Sequence, residues 1–263
     1  MNQDEMFQLV DSLPFLIFNE VPGVTEHLNL TGLKGVRSKK IRNPFANTVG
    51  GAILTEYNVE ETIDLVFKEF GDIPFSWAVG PKNTPSYLGI LLSARGMVKG
   101  ESSVGMVLEN FDIPITINPN VDVIPVSKEK VMENASLLAN MYGMGLTDEA
   151  IIASVQAYKK NQFYFAYLTG SSIIVGWTNL VFIPETTKVL LGGSATHPGW
   201  RGRNIYKTMV TQRLKDARAS GANAALIQAV KCTSAPICTH IGFKEFGDYD
   251  IYFANTSELE NLQ

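Results

Sequence analysis

Apolar positions change their period several times along this chain, and each change predicts an element. From Asn58 a helical spacing sets in, with Ile63, Val66, Phe67 and Phe70 on one face and Gly71 as the stop. Asn58 with Glu61 three residues later forms a capping-box pattern at the start. Alternation at Phe75, Trp77 and Val79 then predicts a strand, which Gly80-Pro81 breaks. Thr84-Pro85 reads as a cap followed by proline at the first helical position, opening a helix that ends at Arg95-Gly96. Residues 102–108 return as a strand. The earlier stretch is less sharply patterned: Phe7 to Phe18 has apolar positions at helical spacing, interrupted by Pro14, residues 43–47 suit a turn, and 48–57 suit a strand through Val49, Ile53 and Leu54.

A proline-studded extended segment with Pro114, Pro119 and Pro125 follows, and it places a domain boundary near Asn118, dividing the chain into 1–118 and 119–263. Beyond it, Ser127 and Thr147-Asp148-Glu149 start two helices, the second with Ile151, Ile152, Val155 and Tyr158 apolar. Strands are predicted over 162–168, 172–182 and 188–196. The last of these runs Leu190-Leu-Gly-Gly-Ser-Ala-Thr-His and stops at Pro198, which cannot donate to a ladder. After Arg201-Gly202-Arg203-Asn204, helical spacing resumes at Ile205, Met209, Val210 and Leu214. A buried strand over 224–230, a short helix from Ser234 closing at Ile241-Gly242-Phe243, and a strand or hairpin over 244–253 complete the chain. The fold class is α/β with a mixed sheet, α+β in character, and the second half reads α-α-β-β-β-α-β-α-β.

The strand, basic glycine-containing turn and helix around Arg201 carry the chemistry. A helix opening just after such a turn presents unpaired N–H groups and about half a positive charge to whatever sits there. Two arginines make it a seat for an anion, with phosphate or pyrophosphate the natural occupant. Gly192-Gly193 in the preceding strand suits a bulge or close approach of a ligand, and equally a plain weak point in a strand.

The stretch Pro198-Gly-Trp-Arg201-Gly202-Arg203-Asn204-Ile205-Tyr206 resembles the phosphate-binding signature of the GNAT N-acetyltransferase superfamily, Arg/Gln-x-x-Gly-x-Gly/Ala with a Pro-x-x-Arg-Gly lead-in. Asn204 and Tyr206 replace two of its glycines. Asn is the least costly replacement where φ is positive, whereas Tyr206 has to point away from the phosphates. The element order over 125–253 and the Gly242-Phe243 close match the family as well. The resemblance implies an acetyl-CoA-dependent N-acetyltransferase acting on a primary amine of a small-molecule or amino-acid-like acceptor. Pantetheine amides would pair with Ser194, Ala195 and Thr196, and the pyrophosphate would sit on Arg201, Gly202, Arg203, Asn204, Ile205 and Tyr206. The family often has a tyrosine acid where this chain has Cys238, so Cys238 is the candidate proton donor. Tyr164, Tyr167, Trp177 and Asn179 are candidate acceptor-pocket residues, and His197 borders the turn. A non-catalytic CoA-binding or regulatory module, and a general phosphate or nucleotide binder, are the competing readings.

Aligning Gly96 with Gly242 superposes the helices before them without a gap, so the first half reads as a diverged copy and the whole as two tandem GNAT-like acyl-CoA N-acyltransferase domains. Before its helix the first half has Tyr57-Asn58-Val59-Glu60-Glu61, two acids and no glycine, which would repel a pyrophosphate. It is expected to bind no cofactor.

Composition narrows the rest. The 263 residues are 45% hydrophobic and 18% charged with net charge −4, which argues against a nucleic-acid partner held by a basic surface. The basic cluster Lys34, Arg37, Lys39, Lys40 and Arg42 suits a solvated loop or strand edge. No apolar run reaches the ~18 residues of a membrane span, and the acidic opening Met-Asn-Gln-Asp-Glu is unlike a signal peptide. Cys232 and Cys238 match no zinc or redox spacing, and His27, His197 and His240 are too scattered for a metal site. A cytoplasmic protein with no metal and no membrane partner is expected; oligomeric state is left open.

Overall fold

The structure is a computed structural model that describes residues 3–113 and 117–255, apart from the side chains of residues 3, 14 and 15. Its first half comprises α1 (Gln3–Ile17), β1 (Glu26–Leu30), β2 (Leu33–Arg37), β3 (Thr48–Gly50), α2 (Val59–Phe70), β4 (Phe75–Val79), α3 (Leu88–Ala94), β5 (Val98–Lys99) and β6 (Ser103–Leu108). The second comprises β7 (Val121–Val126), α4 (Lys128–Glu133), α5 (Ala135–Tyr142), α6 (Asp148–Ala157), β8 (Asn161–Leu168), β9 (Ile174–Phe182), β10 (Lys188–Thr196), a 3₁₀ turn (Pro198–Trp200), α7 (Ile205–Ala219), β11 (Ala224–Val230), α8 (Ser234–Ile241) and β12 (Lys244–Ala254).

Several local expectations give way to tertiary bonding. The strand expected over 48–57 stops at Gly50, because Gly51 takes φ 63° and the chain turns toward Thr84. Asn58 precedes α2 but does not cap it; its Oδ1 accepts instead from the N–H and hydroxyl of Thr55 at 2.7 and 3.0 Å. Thr84 is likewise no cap. Its hydroxyl donates to Leu54 O, the Thr84–Pro85 bond is cis, and α3 starts at Leu88. Ser127 and Thr147 do cap their helices, accepting from the N–H groups of Lys130 and Ala150. A third helix, α5, lies between those two. The extended 121–126 stretch is a strand at the end of the sheet, where Pro125 is tolerated. Pro114, one of the boundary prolines, lies outside the described residues.

One sheet runs through the molecule in the order β1-β2-β3-β4-β12-β6-β11-β10-β9-β8-β7, with β5 beside β12. The two halves repeat one plan. β1, β2 and β3 are antiparallel neighbours and β3 pairs parallel with β4; β8, β9 and β10 are antiparallel neighbours and β10 pairs parallel with β11. Both α3 and α8 close on a glycine with positive φ, Gly96 and Gly242, and the next residue donates five positions back, Met97 to Leu92 and Phe243 to Cys238.

The last strand of each half crosses over. β6, from the first half, pairs with β11 of the second, while β12, from the second, pairs with β4 of the first. The two exchanged strands then pair antiparallel with each other at the centre. Helices α7 and α8 cover one face, where Val104, Met106, Leu108, Leu191, Val210, Leu214, Ile227 and Ile241 form one core. On the opposite face α1 packs Phe7, Val10, Leu13 and Ile17 against strands of both halves, and α4 to α6 enclose Phe163, Phe165 and Trp177.

All six residues of β6 are buried. Stripping β6 from β11 would expose Val104, Met106, Val107 and Leu108, at roughly 1.5–3 kcal/mol each, a sum comparable to the stability of a whole domain. Expressed alone, residues 119–263 should therefore lack cooperative thermal unfolding, and co-expression with 1–118 should restore it. Circular dichroism melting of the fragment and the pair checks this.

Candidate active site

β10 and β11 begin together and then part. Their parallel register holds for Lys188↔Ala224, Val189↔Ala225 and Leu190↔Leu226 and goes no further, although both strands continue. In β10 the ladder to β9 shifts between Leu191 and Ser194, so Gly192 and Gly193 form a bulge at the point of divergence. His197 N–H reaches Val175 O on β9. Strand alternation then turns the backbone groups of Ser194 and Thr196 toward the open side. Thr196 Oγ1 is buried there without a hydrogen-bond partner among the described residues.

The mouth of this cleft leads into the turn before α7. His197 Nδ1 accepts from Gly199 N–H at 3.1 Å, so this histidine shapes the turn. Arg201 Nε donates to Thr196 O at 3.3 Å, and the Arg203 guanidinium lies over the Trp200 ring at 4.6 Å. Gly202 has φ 76°, and a Cβ there would meet nothing within 4 Å, so the space over the backbone is open. Asn204 adopts the left-handed conformation, φ 57° and ψ 16°, without capping α7 by its side chain. The first helical bond of α7 is Thr208 N–H to Asn204 O at 3.0 Å, and the N–H groups of 202–207 bond to no described residue. Arg201 and Arg203 are exposed, and no carboxylate among the described residues forms an ion pair with either. Free amides, a helix start, two unpaired cations and open room above a glycine together fit a pyrophosphate.

Tyr206 turns its ring inward, packing beside the α7–α8 core with its hydroxyl 3.9 Å from Cys238 Sγ. Burial pushes the Tyr206 phenol far above its usual range, and the neighbouring Cys238 adds to the shift. Burial likewise raises the Cys238 thiol, with Tyr206 and Arg213 pulling the other way. Leu92 holds the place of Cys238 in the first half, four residues before the closing glycine.

The four polar and aromatic residues picked out for an acceptor pocket do not come together. Tyr164 is buried in the α7-side core, Trp177 lies on the opposite face with Nε1 donating to Leu138 O, and Tyr167 lines a groove outside α7. That groove, of 1130 Å³, is bounded by Ile117, Val123, Leu214 and Arg218, and none of Ser194, Thr196 or Arg201 lines it. Two features of the site escape sequence reading. Asn118 donates its Nδ2 to Arg203 O at 2.8 Å and its N–H to Thr208 Oγ1 at 3.0 Å, fastening the connecting segment to the turn. Arg213 is fully buried beneath β10; its position four beyond Met209 and three beyond Val210 puts it on the apolar stripe, the one available signal.

The corresponding place in the first half is shut. Where β3 and β4 would part, Thr84 N–H donates to Ala52 O at 2.9 Å, Leu54 N–H to Thr84 O at 3.2 Å and the Thr84 hydroxyl to Leu54 O at 2.8 Å. Asp11 of α1 lies against it, its Oδ1 2.8 Å from where a Gly80 Cβ would stand, and desolvation raises its carboxyl to about 6. At the start of α2, Glu60 and Asp64 hold Arg95. Among the described residues no group of three His, Cys, Asp or Glu is placed to hold a metal ion, and no helix is long and apolar enough to cross a membrane.

Comparison with known proteins matches residues 134–235 to the acetyltransferase (GNAT) family, from the start of α5 into α8. Among solved structures, a GCN5-related N-acetyltransferase from Kribbella flavida superposes with TM-score 0.71 at 14% identity, covering 98% of each chain. A GCN5-related N-acetyltransferase from Sphaerobacter thermophilus gives 0.58 at 14% identity over 86% of this chain and 82% of its own. A tandem GNAT protein from the clavulanic acid biosynthesis pathway, solved without AcCoA, gives 0.58 at 10% identity over 96% of this chain and 95% of its own. No curated protein matches. At these identities the structures establish the fold, two tandem GNAT-like units.

The backbone at the turn makes one stability prediction. Asn204→Gly should leave the melting temperature unchanged or slightly raised, whereas Asn204→Val should cost ~1–2 kcal/mol, because a β-branched residue resists the left-handed conformation. Thermal unfolding of the two variants beside the parent checks it.

Proposed function

From a GNAT domain at residues 134–235 within a GNAT-like sheet, we propose that this protein transfers an acetyl group from acetyl-CoA to a primary amine of a small, amino-acid-like acceptor. The observation that carries the reading is the run of unbonded N–H groups over 202–207 beside two unpaired arginines, at the mouth of a cleft where β10 leaves β11. In it the pyrophosphate sits on Arg201, Gly202, Arg203, Asn204, Ile205 and Tyr206, which contribute backbone amides and, at the arginines, charge. The pantetheine amides pair with the backbone of Ser194 and Thr196 along the open edge of β10, while Ala195 between them turns its own backbone to β9. The residues 119–263 form the coenzyme-binding unit. In 1–118 the bonds of Thr84 to Ala52 and Leu54, and the acids opening α2, leave no comparable seat, so that half binds no coenzyme.

The reaction is direct attack. The neutral amine nitrogen bonds to the thioester carbonyl carbon, the C–S bond breaks, and the leaving sulfur takes a proton. Cys238 is the donor in this reading. Because burial raises its pKa, it is held as thiol at neutral pH and can give a proton, where a thiolate would compete as a nucleophile. The proton that the amine loses goes to solvent, which also restores the thiol. The lack of bonded partners around the turn likewise supports a module that binds CoA without catalysis, a reading favoured by the Tyr206 hydroxyl of α7 lying 3.9 Å from Cys238 Sγ.

Calorimetry with acetyl-CoA tests the binding. Saturable heat is expected, with Arg201→Ala and Arg203→Ala each weakening affinity by roughly 1.5–3 kcal/mol, the worth of a hydrogen bond to a charged group; absent heat, or equal heat in both variants, sinks the proposal. Thiol release with a panel of primary amines separates enzyme from binding module. Cys238→Ala should slow that release ~10²-fold with CoA affinity retained. A donor must be protonated to act, and burial raises this one, so the parent rate should fall only at pH above the ordinary thiol range and that alkaline limb should vanish in Cys238→Ala.

A further inference from the structure

Cys238 has no exposed surface. A thiol so enclosed meets neither solvent nor a substrate that enters from it, yet a proton donor must lose its proton and regain one in each turnover. Another group has to stand between. The hydroxyl of Tyr206 lies 3.9 Å from Cys238 Sγ, at hydrogen-bonding distance for sulfur, and Tyr206 is partly exposed. It sits in the first turn of α7, whereas Cys238 is on α8. β10 runs through the basic turn into α7 and β11 runs into α8, so this contact joins the two helices that follow the two parting strands. In the first half, where the cleft is shut, Leu92 stands in place of Cys238.

Behind the contact lies a charge. Arg213, two turns further along α7, also has no exposed surface. Nη1 donates to Asn179 O and Gly192 O, each at 3.2 Å, and Nε reaches Met209 O at 3.4 Å. Nη2 has no partner at hydrogen-bonding geometry. Carbonyls satisfy N–H groups without neutralising a guanidinium, and an isolated buried charge is costly. The ionisable groups that act on this one are Tyr206, Cys238 and Tyr164, and none is a carboxylate. The one acid of α7, Asp216, accepts from Gln212 Nε2 at 3.0 Å, and Ser234 of α8 is a further polar group acting on Tyr206. A permanent cation therefore faces groups that turn anionic when they give up a proton.

We propose that Tyr206 and Cys238 form one proton path to the departing sulfur, with Arg213 offsetting the charge left on the thiol. This rests on the acetyl-transfer reading above. As the C–S bond breaks, the Tyr206 O–H proton passes to the sulfur and the Cys238 S–H proton passes to the Tyr206 oxygen. The coenzyme leaves as free thiol, Tyr206 is neutral again, and Cys238 is a thiolate beside Arg213. A solvent proton then returns through Tyr206 to Cys238, while the proton shed by the amine goes to solvent, which closes the cycle. A thiol ordinarily ionises about 1.5 pH units below a phenol, so the proton moves from Cys238 to Tyr206 and not the reverse. Burial raises both groups and keeps them protonated at neutral pH beforehand.

The test measures CoA binding by calorimetry, and thiol release from acetyl-CoA with the amine panel, in the parent, Tyr206→Phe, Cys238→Ala and the double variant. Tyr206→Phe keeps the ring and the backbone N–H, so it should bind CoA within about threefold of the parent. Its thiol release should fall ~10²-fold, the worth of a general acid, as in Cys238→Ala. The double variant should be no slower than either single one, because both cut the same path. A merely structural tyrosine would give losses that multiply, to about 10⁴-fold. That result, or parent-like rates in Tyr206→Phe, overturns the proposal. Arg213→Met removes the offsetting charge and makes the thiol harder to ionise, so the alkaline limb of the rate should move to higher pH, and Arg213→Lys should bring it back. An unmoved limb refutes the part given to Arg213. Should Arg213→Met not melt cooperatively, Arg213→Gln, which can still donate to the carbonyls but carries no charge, takes its place. A parent that binds no CoA, or releases no thiol with any amine, overturns the acetyl-transfer reading itself and the path with it, a distinct outcome.

Discussion

The antiparallel pairing of β6 with β12 is the constraint on which the rest of the molecule depends. Each of these strands is made by one half and completes the sheet of the other, and their mutual ladder fuses two sheets into one. Neither half closes its own core. Val104, Met106 and Leu108 of β6 belong to the cluster under α7 and α8, while Tyr252 and Ala254 of β12 belong to the one under α2 and α3. The two halves share one sheet as a result, and α1, lying across strands of both, adds to their packing.

Within that shared sheet the same pair of parallel strands meets two fates. In the second half β10 and β11 separate after three pairs, and the chain spends glycines and a buried arginine on the separation. In the first half the chain after β3 bends back to Thr84 and satisfies its backbone there. Backbone groups leaving a ladder must find partners. The first half supplies them internally, whereas the second leaves them for something else to fill.

Much of this was legible in the residue pattern. Most strands and helices beyond Asn118, though not α5 or the strand β7, together with the basic turn and the repeat of the closing glycines, followed from periodicity and spacing, because each is fixed by neighbours in sequence. What the pattern missed is fixed by distant partners. Asn58 and Thr84 have the side chains of helix caps, yet Thr55 and Leu54 claim them. The strand exchange leaves no local trace, since β6 and β12 read as ordinary buried strands whichever half they join. Arg213 was hidden by its residue type: an arginine in an amphipathic helix is usually solvated, and only the bulge behind it explains its burial. Aromatic strand residues such as Tyr164 and Trp177 looked equally suited to a pocket and to a core, and the two faces of the sheet separate them.

The bonds of Asn118 to Arg203 and Thr208 tie the span joining the halves to the very loop that an anion would occupy. Because one residue grips both Arg203 O and Thr208 Oγ1, that end of the joining span and the first turn of α7 are fastened into one piece and shift together.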